Sequence, residues 1–308
     1  MHKKKEIYVL LKGRIGNQLF MYAFAKQLWN EYKGQAKIVI DDSEVLKANW
    51  ENSLVHYDLP DVEYIHENMF VNSPKYRWRR RLRTLFAYNW LKKDYPGKYA
   101  YEKKWAKLLN KCGIIYCENG YLPYRLNTKR DVFIEGYFQS EKYFLPSKQQ
   151  ILNEFSYKQF ENIKNYPDID KIKNRNTVCI SVKVEHNVGD ELFDICDMEY
   201  WKKAIKYICD NVENPLFFIG SDNVPYVLEH LIDTSKYDYV CQSREFPVHE
   251  SLAVMGLCKH FIIGNTSFGW WAQYLSDYDK KIVVAPSRWM NLNMPVDIYL
   301  DDWHLIDV

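Results

Sequence analysis

The sequence predicts an α/β protein of two domains, each built around a parallel sheet. Apolar strand-like runs alternate with helix-like segments through the second half of the chain, and the first half begins with the same rhythm. The length of 308 residues also exceeds a typical domain of about 100–150 residues. Strands that alternate with helices at this spacing form parallel βαβ units, whose sheets bind ligands beyond the carboxyl ends of their strands.

The second half carries the clearer pattern. Its expected strands are 178–184, 216–219, 237–241, 260–263 and 282–285, and its expected helices are 198–209, 225–231, 248–258 and 268–275. Apolar side chains in the segment 198–209 recur at helical spacing, which indicates one buried face. The loops that follow residues 184, 219 and 263 are therefore the places where a ligand is expected.

The first half is regular only at its two ends. A strand at 7–11, a helix that ends near residue 32 and a strand at 37–40 open it, and a strand at 132–134 closes it. Between residues 50 and 130 we expect an irregular insertion rich in aromatic and basic side chains. We place the two domains at 1–150 and 151–308, with the polar stretch 158–176 as the boundary region.

Composition and charge exclude several classes of protein. The net charge of +2 does not indicate a nucleic-acid binder. Seven cysteines without a C-x-x-C pair argue against a disulfide framework or a zinc site and favour a reducing compartment. Because no run of 18 apolar residues occurs, we expect a cytoplasmic protein without a membrane span.

Residues 75–93 form a concentrated basic segment, with eight basic residues and no acidic one. Within it Trp78, Leu82, Leu85, Phe86 and Trp90 fall at helical spacing. One interpretation is a helix that covers the first domain while its arginines are solvated. The other is an interfacial helix that makes peripheral contact with an anionic membrane.

The stretch Gly13-Arg14-Ile15-Gly16-Asn17-Gln18 joins the first expected strand to the first expected helix. Unpaired N–H groups at a helix start, together with the helix dipole and Arg14, suit a phosphate or another anion. A glycine turn that only packs a strand against a helix is the alternative.

Two further loops offer polar groups at strand ends. Asn265, Thr266 and Ser267 leave a strand and open a helix, where they can cap it or present hydroxyls and amides to a phosphate. Asp222 ends another strand, where its carboxylate can accept hydrogen bonds from a base or ribose or can simply close a turn.

With these segments in view, the chain resembles glycosyltransferase family 11, the bacterial and animal α-1,2-fucosyltransferases. Residues 13–25 (GRIGNQLFMYAFA) are similar to the family pattern Gly-x-x-Gly-Asn-Gln-x-Phe-x-Tyr-Ala-x-Ala. Residues 136–144 (GYFQSEKYF) and 258–271 (CKHFIIGNTSFGWW) resemble two further family blocks, and 285–289 and 297–299 continue the match in order. The resemblance extends from about residue 7 to residue 303.

One block departs from the family pattern. The family carries His-x-Arg-Arg-Gly-Asp at the end of a buried strand, where this chain has Ser181 for the His, Lys183 for the first Arg and Val184 for the second. The Gly-Asp pair follows later, at Gly189 and Asp190. A lysine keeps the positive charge of the arginine but loses its planar bidentate fork. The departure therefore bears on activity and donor choice, not on the fold.

The resemblance implies a GT-B-like architecture, two Rossmann-like domains with parallel sheets that face each other across a cleft. It implies GDP-L-fucose as the donor, held mainly by the second domain, and a glycan acceptor with a free 2-hydroxyl, as in galactose. Asp168-Ile169-Asp170 matches the Asp-x-Asp of metal-dependent sugar transferases but lies in a polar stretch. We expect an inverting reaction without metal or other cofactor.

Residue roles follow from the same resemblance and from the loops above. Lys183 should face the diphosphate, and Glu185, His186 or Asp190 could take the proton of the acceptor hydroxyl or be solvated loop residues. The expected donor-binding residues are Arg14, Gly16, Asn17, Gln18, Ser181, Asp222, Asn265, Thr266, Ser267 and Phe268. The same fold with another nucleotide sugar, or a non-catalytic protein that binds sugar nucleotides, remains open as an alternative.

Overall fold

The computed structural model describes residues 4–118, 120–233 and 235–308, apart from the side chain of Val71. The chain folds into two compact units. The first comprises Met1–Glu154 and Asn293–Tyr299, and the second comprises Phe155–Leu292 and Leu300–Val308. The stretch 158–176, where we expected the boundary region, lies inside the second unit, because its isoleucines Ile163, Ile169 and Ile172 are buried.

The first unit contains a five-stranded sheet in the order β3-β2-β1-β5-β4, with all neighbouring strands parallel. The strands are β1 Lys5–Leu10, β2 Ala36–Asp41, β3 Val62–Ile65, β4 Ile114–Cys117 and β5 Val132–Gly136. The helices are α1 Ile15–Glu31, α2 Ser43–Lys47, α3 Met69–Asn72, α4 Arg77–Trp90, α5 Tyr95–Lys111 and α6 Lys148–Glu154. Short 3₁₀ turns include Ser53–His56 and Leu145–Ser147.

Helix α1 is the central helix of this unit. Thirteen of its 17 residues are buried, since the sheet covers one side and the turns Ser53–His56 and Leu145–Ser147 cover others. A helix enclosed in this way is apolar on nearly every face. That enclosure explains why its composition, more than its periodicity, predicts it from the sequence.

Residues 50–130 are not the irregular insertion that we expected. They contain the strands β3 and β4 and the two long helices α4 and α5. Phe86 of α4 and Leu109 of α5 are buried against the sheet face that carries Tyr8 and Phe133. The helix expected within 75–93 is present as α4, whereas β3, β4 and α5 were not expected.

The second unit contains a six-stranded parallel sheet in the order β11-β10-β9-β6-β7-β8. The strands are β6 Thr177–Val182, β7 Leu216–Ser221, β8 Tyr239–Cys241, β9 His260–Ile263, β10 Val283–Pro286 and β11 His304–Ile306. The helices are α7 Ile169–Asn174, α8 Met198–Asn211, α9 Val224–His230, α10 Val248–Met255 and α11 Ser267–Tyr274. The predicted class, α/β with two parallel sheets, is confirmed.

The core of the second unit follows the predicted pattern of the sequence. Tyr200, Trp201 and Ile208 of α8 pack against Val178 and Ile180 of β6. Helix α11 places the fully buried Trp270 and Trp271 in the core. Among the described residues, no helix combines the length and the apolar character needed to cross a membrane.

Candidate functional site

The central strand β6 and its neighbour β9 mark the point where the second sheet changes direction. From β6 the chain builds outward through β7 and β8, and it then returns to place β9 on the other side of β6. Ser181 near the end of β6 pairs in register with Ile263 of β9. Ligands of doubly wound sheets bind outside the carboxyl ends of the strands at such a switch point. Lys183 comes directly after β6 and the segment 264–268 directly after β9, so that both follow neighbouring strands at this edge of the sheet.

The segment that follows β9 opens helix α11 with a side-chain cap. Thr266 Oγ1 accepts a hydrogen bond from the amide of Gly269 at 3.0 Å. The Thr266 side chain is buried, whereas Ser267 and Phe268 are half-buried. A helix leaves its first N–H groups without intrahelical partners, and such groups suit an anion. In α11 the cap already engages both the Thr266 hydroxyl and the Gly269 amide.

Ser181 supports α11 and offers almost no surface to a ligand. Its residue exposure is 3%, and a Cβ placed on Gly269 would lie 2.8 Å from Ser181 Oγ. The two small residues thus let the helix approach β6 closely. The position that carries a histidine in the family pattern is a packing position here.

Lys183 and Asp222 form the charged pair at the end of β6 and β7. Lys183 Nζ lies 3.3 Å from Asp222 Oδ2, and both side chains are about three-quarters covered, with exposures of 28% and 24%. The Asp222 carboxylate also accepts hydrogen bonds from the amides of Val184 at 2.8 Å and Glu185 at 3.2 Å. Asp222 therefore positions the loop that carries Lys183, and both of its oxygens are occupied in this structure.

Asn265 organises the long loop between β6 and α8. Its Oδ1 accepts a hydrogen bond from Asn187 Nδ2 at 3.1 Å. Its Nδ2 donates to the carbonyl oxygens of Phe193 at 3.0 Å and Trp289 at 3.1 Å. With an exposure of 8%, Asn265 holds the loop in place and is not a surface ligand.

The three residues predicted as proton acceptors lie in this loop. Glu185 and His186 are exposed, and His186 adopts a left-handed backbone with φ of +65°. Asp190 is exposed as well, but its Oδ1 accepts hydrogen bonds from the amides of Leu192 at 2.8 Å and Phe193 at 3.0 Å. Asp190 therefore closes a turn, which leaves Glu185 and His186 as the more accessible groups.

A second cation, Arg288, lies on the same edge of the sheet. It follows β10, the strand next to β9, and it is exposed and makes no ion pair with any described residue. Arg288 was not among the site residues predicted from the sequence, although residues 285–289 carried part of the family resemblance. Its position directly after a predicted strand of the parallel sheet could have indicated a site residue.

In the first unit, the loop 11–14 between β1 and α1 brings Asn17 to a residue that the sequence did not select. Asn17 Oδ1 accepts a hydrogen bond from Gln139 Nε2 at 2.7 Å. Gly13 has a φ of +70°, and a Cβ there would overlap the Asn17 side chain. Phe138, which precedes Gln139, is a buried non-glycine residue with a φ of +50°. Strain of this kind is kept where surrounding structure fixes a functional group.

The other predicted residues of this loop have different environments. Gln18 is fully buried, with Nε2 donating to the carbonyl oxygens of Gly13 and Glu51 at 2.8 Å each. Its Oε1 accepts from the amide of Ser53 at 2.8 Å, so Gln18 is a scaffold residue. Gly16 is buried within α1, whereas Arg14 is exposed.

A polar pocket of about 590 Å³ opens at the carboxyl ends of β1, β2 and β3. Ser43 lines it with a hydroxyl that is buried and without a hydrogen-bond partner among the described residues. His66 also lines it, and its Nδ1 lies 2.9 Å from Oδ1 of the buried Asp42. Further polar lining comes from Lys12, Glu44, Asn68 and Arg83.

The charges beside this pocket form a buried network. Lys12 Nζ lies 3.0 Å from Glu118 and 3.1 Å from Glu135, and Arg83 Nε donates to Glu135 Oε2 at 2.8 Å. Burial alone would raise the pKa of the Glu135 carboxyl, but the charges and hydrogen bonds of Lys12 and Arg83 lower it to about 2. The network therefore remains ionised and fixes one wall of the pocket.

Two Asp-x-Asp sequences lie apart from both sites. Asp168 pairs with Lys171 at 2.6 Å at the start of α7. Asp277 and Asp279, which the sequence analysis passed over, are exposed in the turn after α11. Within the described parts of the chain, no cluster of three His, Cys, Asp or Glu side chains is arranged to hold a metal ion.

Two α/β units, each built on a parallel sheet, are the architecture of GT-B glycosyltransferases. The chain belongs to glycosyl transferase family 11, whose family model matches residues 6–307. The resemblance inferred from the motifs is thereby confirmed.

Individual relatives agree with the family. The O-antigen biosynthesis glycosyltransferase WbnK of Escherichia coli is 26% identical over 96% of this chain and 99% of its own length. An α-1,2-colitosyltransferase of Escherichia coli is 25% identical over 91% of this chain and 90% of its own length. Among solved structures, the fucosyltransferase NodZ from Bradyrhizobium superposes with a TM-score of 0.53 at 10% identity, covering 89% of this chain and 94% of NodZ. At that identity NodZ supports the fold alone.

Proposed function

We propose that this protein transfers L-fucose from GDP-L-fucose to a 2-hydroxyl, that of a galactose unit, in a bacterial surface glycan. The observation that carries the proposal is that Lys183 and the start of α11 follow two adjacent strands, β6 and β9, at the switch point of the second sheet. The names of the relatives support the reaction class, since one acts in O-antigen biosynthesis and another forms an α-1,2 linkage.

The chemistry that this edge must perform is the departure of a nucleoside diphosphate from an anomeric carbon. Negative charge develops on the diphosphate, and fixed cations and oriented amides stabilise it most when they are in place beforehand. We assign this role to Lys183, Arg288 and the amides of the first turn of α11. These groups supply the positive charge that a metal ion could otherwise supply, so we propose a reaction that needs no metal. We also propose that the displacement inverts the configuration at the anomeric carbon.

The acceptor hydroxyl must lose a proton as it attacks. Glu185 and His186 remain the proposed proton acceptors, because both are exposed, whereas the Asp190 carboxylate accepts two backbone hydrogen bonds. Each could act as a general base if it lies within hydrogen-bond reach of the acceptor. The assignment of Arg14 and Asn17 to donor binding stays a prediction. We propose a cytoplasmic site of action.

The acceptor glycan is assigned to the polar pocket of the first unit. Sugars present many hydroxyl groups, and the pocket offers a buried unpaired hydroxyl on Ser43, an imidazole on His66 and several amides and charges. Unpaired buried polar groups are costly unless a ligand or water satisfies them. A sugar ring that donates to and accepts from these groups fits that requirement.

The test is a donor panel with product analysis. The protein is incubated with lactose as the acceptor and with one donor at a time: GDP-fucose, GDP-mannose or a UDP-sugar. Each mixture is prepared with and without excess EDTA, and the product is analysed by NMR. We expect an α-linked fucose on the galactose 2-hydroxyl, from GDP-fucose only and at an unchanged rate in EDTA. Loss of transfer in EDTA, or a β linkage, would contradict the mechanism. Thermal stabilisation by GDP without turnover of any donor would indicate a non-catalytic sugar-nucleotide-binding protein.

A second candidate keeps the fold and changes the donor sugar. The observation in its favour is Lys183 at the place where the family pattern has an arginine, together with a colitosyltransferase among the relatives. A lysine binds phosphate as a point charge instead of through a bidentate fork. Addition of a colitosyl nucleotide to the panel distinguishes the two, since faster transfer of colitose than of fucose would replace the first assignment.

A further inference from the structure

The orientation of α4 separates its arginines into two sets. Arg79 is buried and its Nη1 donates to the carbonyl oxygen of Asp131 at 3.0 Å. Arg83, one turn further on, is bonded to Glu135. With Phe86 buried on the same side, these residues fix the rotation of the helix about its axis. Arg79 and Arg83 are therefore structural, and the interpretation of all the arginines as solvated is wrong for these two.

The opposite face of α4 exposes large apolar and aromatic side chains. Trp78 is 50% exposed, Leu85 65%, Tyr88 61% and Leu91, directly after the helix, 68%. The three helical residues recur at a spacing of three to seven, so that they share one stripe of the helix. Scattered exposed apolar residues are ordinary, but an exposed apolar stripe marks an interaction surface.

Cations surround this stripe, and the exposed acidic residue of the segment, Asp94, is engaged as the cap of α5, where its Oδ1 accepts a hydrogen bond from the amide of Gly97. Arg77, Arg81, Lys92 and Lys93 are exposed and make no ion pair with any described residue. The adjoining helix α5 adds exposed lysines, namely Lys103, Lys104, Lys107 and Lys111. Its one acidic residue, Glu102, is buried and accepts a hydrogen bond from Trp90.

The segment 75–111, which contains α4 and α5, is far more positively charged than the rest of the chain. Residues 75–111 contain thirteen basic and two acidic residues, a net charge of +11. Since the whole chain carries +2, the remainder carries −9. A surface so polarised attracts an anionic partner and orients the protein toward it.

We propose that the exposed face of α4 and α5, defined by Trp78, Leu85, Tyr88 and Leu91 with the lysines and arginines around them, docks onto an anionic lipid surface. The cations match the negative headgroups, and the apolar and aromatic side chains enter the interface between headgroups and acyl chains. A nucleic-acid backbone would match the charge but would leave the leucines exposed. The surface lies within the first unit and does not depend on the chemistry proposed for the second.

Flotation of the full chain with lipid vesicles tests the proposal. Vesicles of phosphatidylcholine alone are compared with vesicles that also contain phosphatidylglycerol, each at low and high salt. We expect binding only to the anionic vesicles, weakened by salt because surface charges are screened. Equal binding to neutral vesicles, or no binding to anionic ones, would overturn the proposal, and so would binding to duplex DNA in preference to vesicles.

Two pairs of variants separate the charge from the apolar contribution. Arg77→Gln with Arg81→Gln should weaken binding about tenfold or more, whereas Lys202→Gln with Lys206→Gln, which removes two exposed charges from α8 of the second unit, should not. Leu85→Ser with Leu91→Ser should weaken binding about tenfold, whereas Val55→Ser with Val248→Ser, at exposures of 52% and 50%, should not.

Thermal melting of each variant confirms that it folds. Since all the substituted side chains are exposed, their melting temperatures should stay close to that of the parent protein. Equal losses of binding in a test variant and its matched control would mean that the surface has no special role, and the proposal would be abandoned.

Discussion

Lys183 lies 3.3 Å from Asp222 on a loop whose backbone amides bond to the same carboxylate. This arrangement places one cation at the end of the central strand and limits its freedom before any ligand arrives. Pre-placed charge is the property that stabilises a leaving diphosphate. The ion pair also keeps the Lys183 side chain at the end of β6 when no donor is bound.

Replacement of Lys183 tests its role directly. Lys183→Ala should lower kcat/KM for GDP-fucose by about 10²–10³, the usual cost of one charge-stabilising donor, while Lys183→Arg should keep most of the activity because the charge remains. Initial rates of transfer give the answer. Lys206→Ala on α8, where the lysine is exposed and paired with Asp210, is the control. A near-normal rate for Lys183→Ala would remove this residue from the mechanism.

Two glycines with left-handed backbones should respond differently to alanine. Gly136 has a φ of +129°, and a Cβ there would overlap the backbone of Cys117 on the neighbouring strand. Gly189 has a φ of +80° with open space around it. We expect Gly136→Ala to lower the free energy of unfolding by about 3 kcal/mol or more and Gly189→Ala by about 1 kcal/mol. Denaturant titration measures both, and equal losses would contradict the packing described for β5.

Sequence motifs indicated the loops of the candidate site but did not show what each side chain contacts. Gln18, Ser181 and Asp190 were predicted to touch the donor or the acceptor. Gln18 bonds to loop backbone, Ser181 packs against Gly269, and Asp190 closes a turn. A loop whose backbone groups have no partners in a sheet or helix needs side chains to satisfy them. The sequence shows a polar residue at such a position without showing what it bonds.

At the scale of elements, the network of Lys12, Arg83, Glu118 and Glu135 joins α4 to the ends of β1, β4 and β5. It should make stability depend on acid. The pKa of Glu135 is lowered to about 2, below the value of about 4.3 in an unfolded chain. Stability from this carboxylate is therefore complete above that unfolded value and is lost as the pH falls through about 4 toward 2.

Glu135→Gln tests this dependence. The variant should be less stable than the parent at neutral pH, because Lys12 and Arg83 lose a buried partner. It should also lose stability less steeply between about pH 4 and pH 2. Melting temperatures across that range measure both effects. Parallel curves for the two proteins would show that Glu135 does not titrate with folding.

The polar pocket depends on elements that the sequence did not predict. Helical spacing within 75–93 did predict α4, but β3 and β4 have only four residues each and gave no signal. The strands and helices of the second unit could be predicted because its strands are buried apolar runs and its helices are short and regular. His66, directly after β3, therefore could not be selected in advance, whereas Ser43 follows β2, a predicted strand, and was missed although its position was available from the sequence.

His66 gives the pocket a measurable role. His66→Ala should raise the KM for lactose without changing the affinity for GDP, because the imidazole lines the pocket of the first unit whereas the proposed donor site lies in the second. Transfer kinetics and calorimetric titration with GDP measure the two quantities. A changed GDP affinity with an unchanged acceptor KM would reverse the assignment of the pocket.

At the scale of the whole molecule, each unit has its own parallel sheet and its own core, as the length and rhythm of the sequence predicted. The sequence did not show that the segment Asn293–Tyr299 belongs to the first unit. Asp297 accepts a hydrogen bond from the amide of Tyr121 at 3.0 Å and pairs with Lys142. Ile298 of the same segment is buried, and a single apolar residue with a few long-range polar contacts leaves no periodic signal.

The central claim is that the second unit binds the diphosphate of a guanosine nucleotide at the junction of β6, β9 and α11. A crystal structure of the protein with GDP measures this most directly. The account predicts diphosphate oxygens within hydrogen-bond distance of Lys183 Nζ and of the amides at the start of α11. A diphosphate bound away from these groups would contradict it.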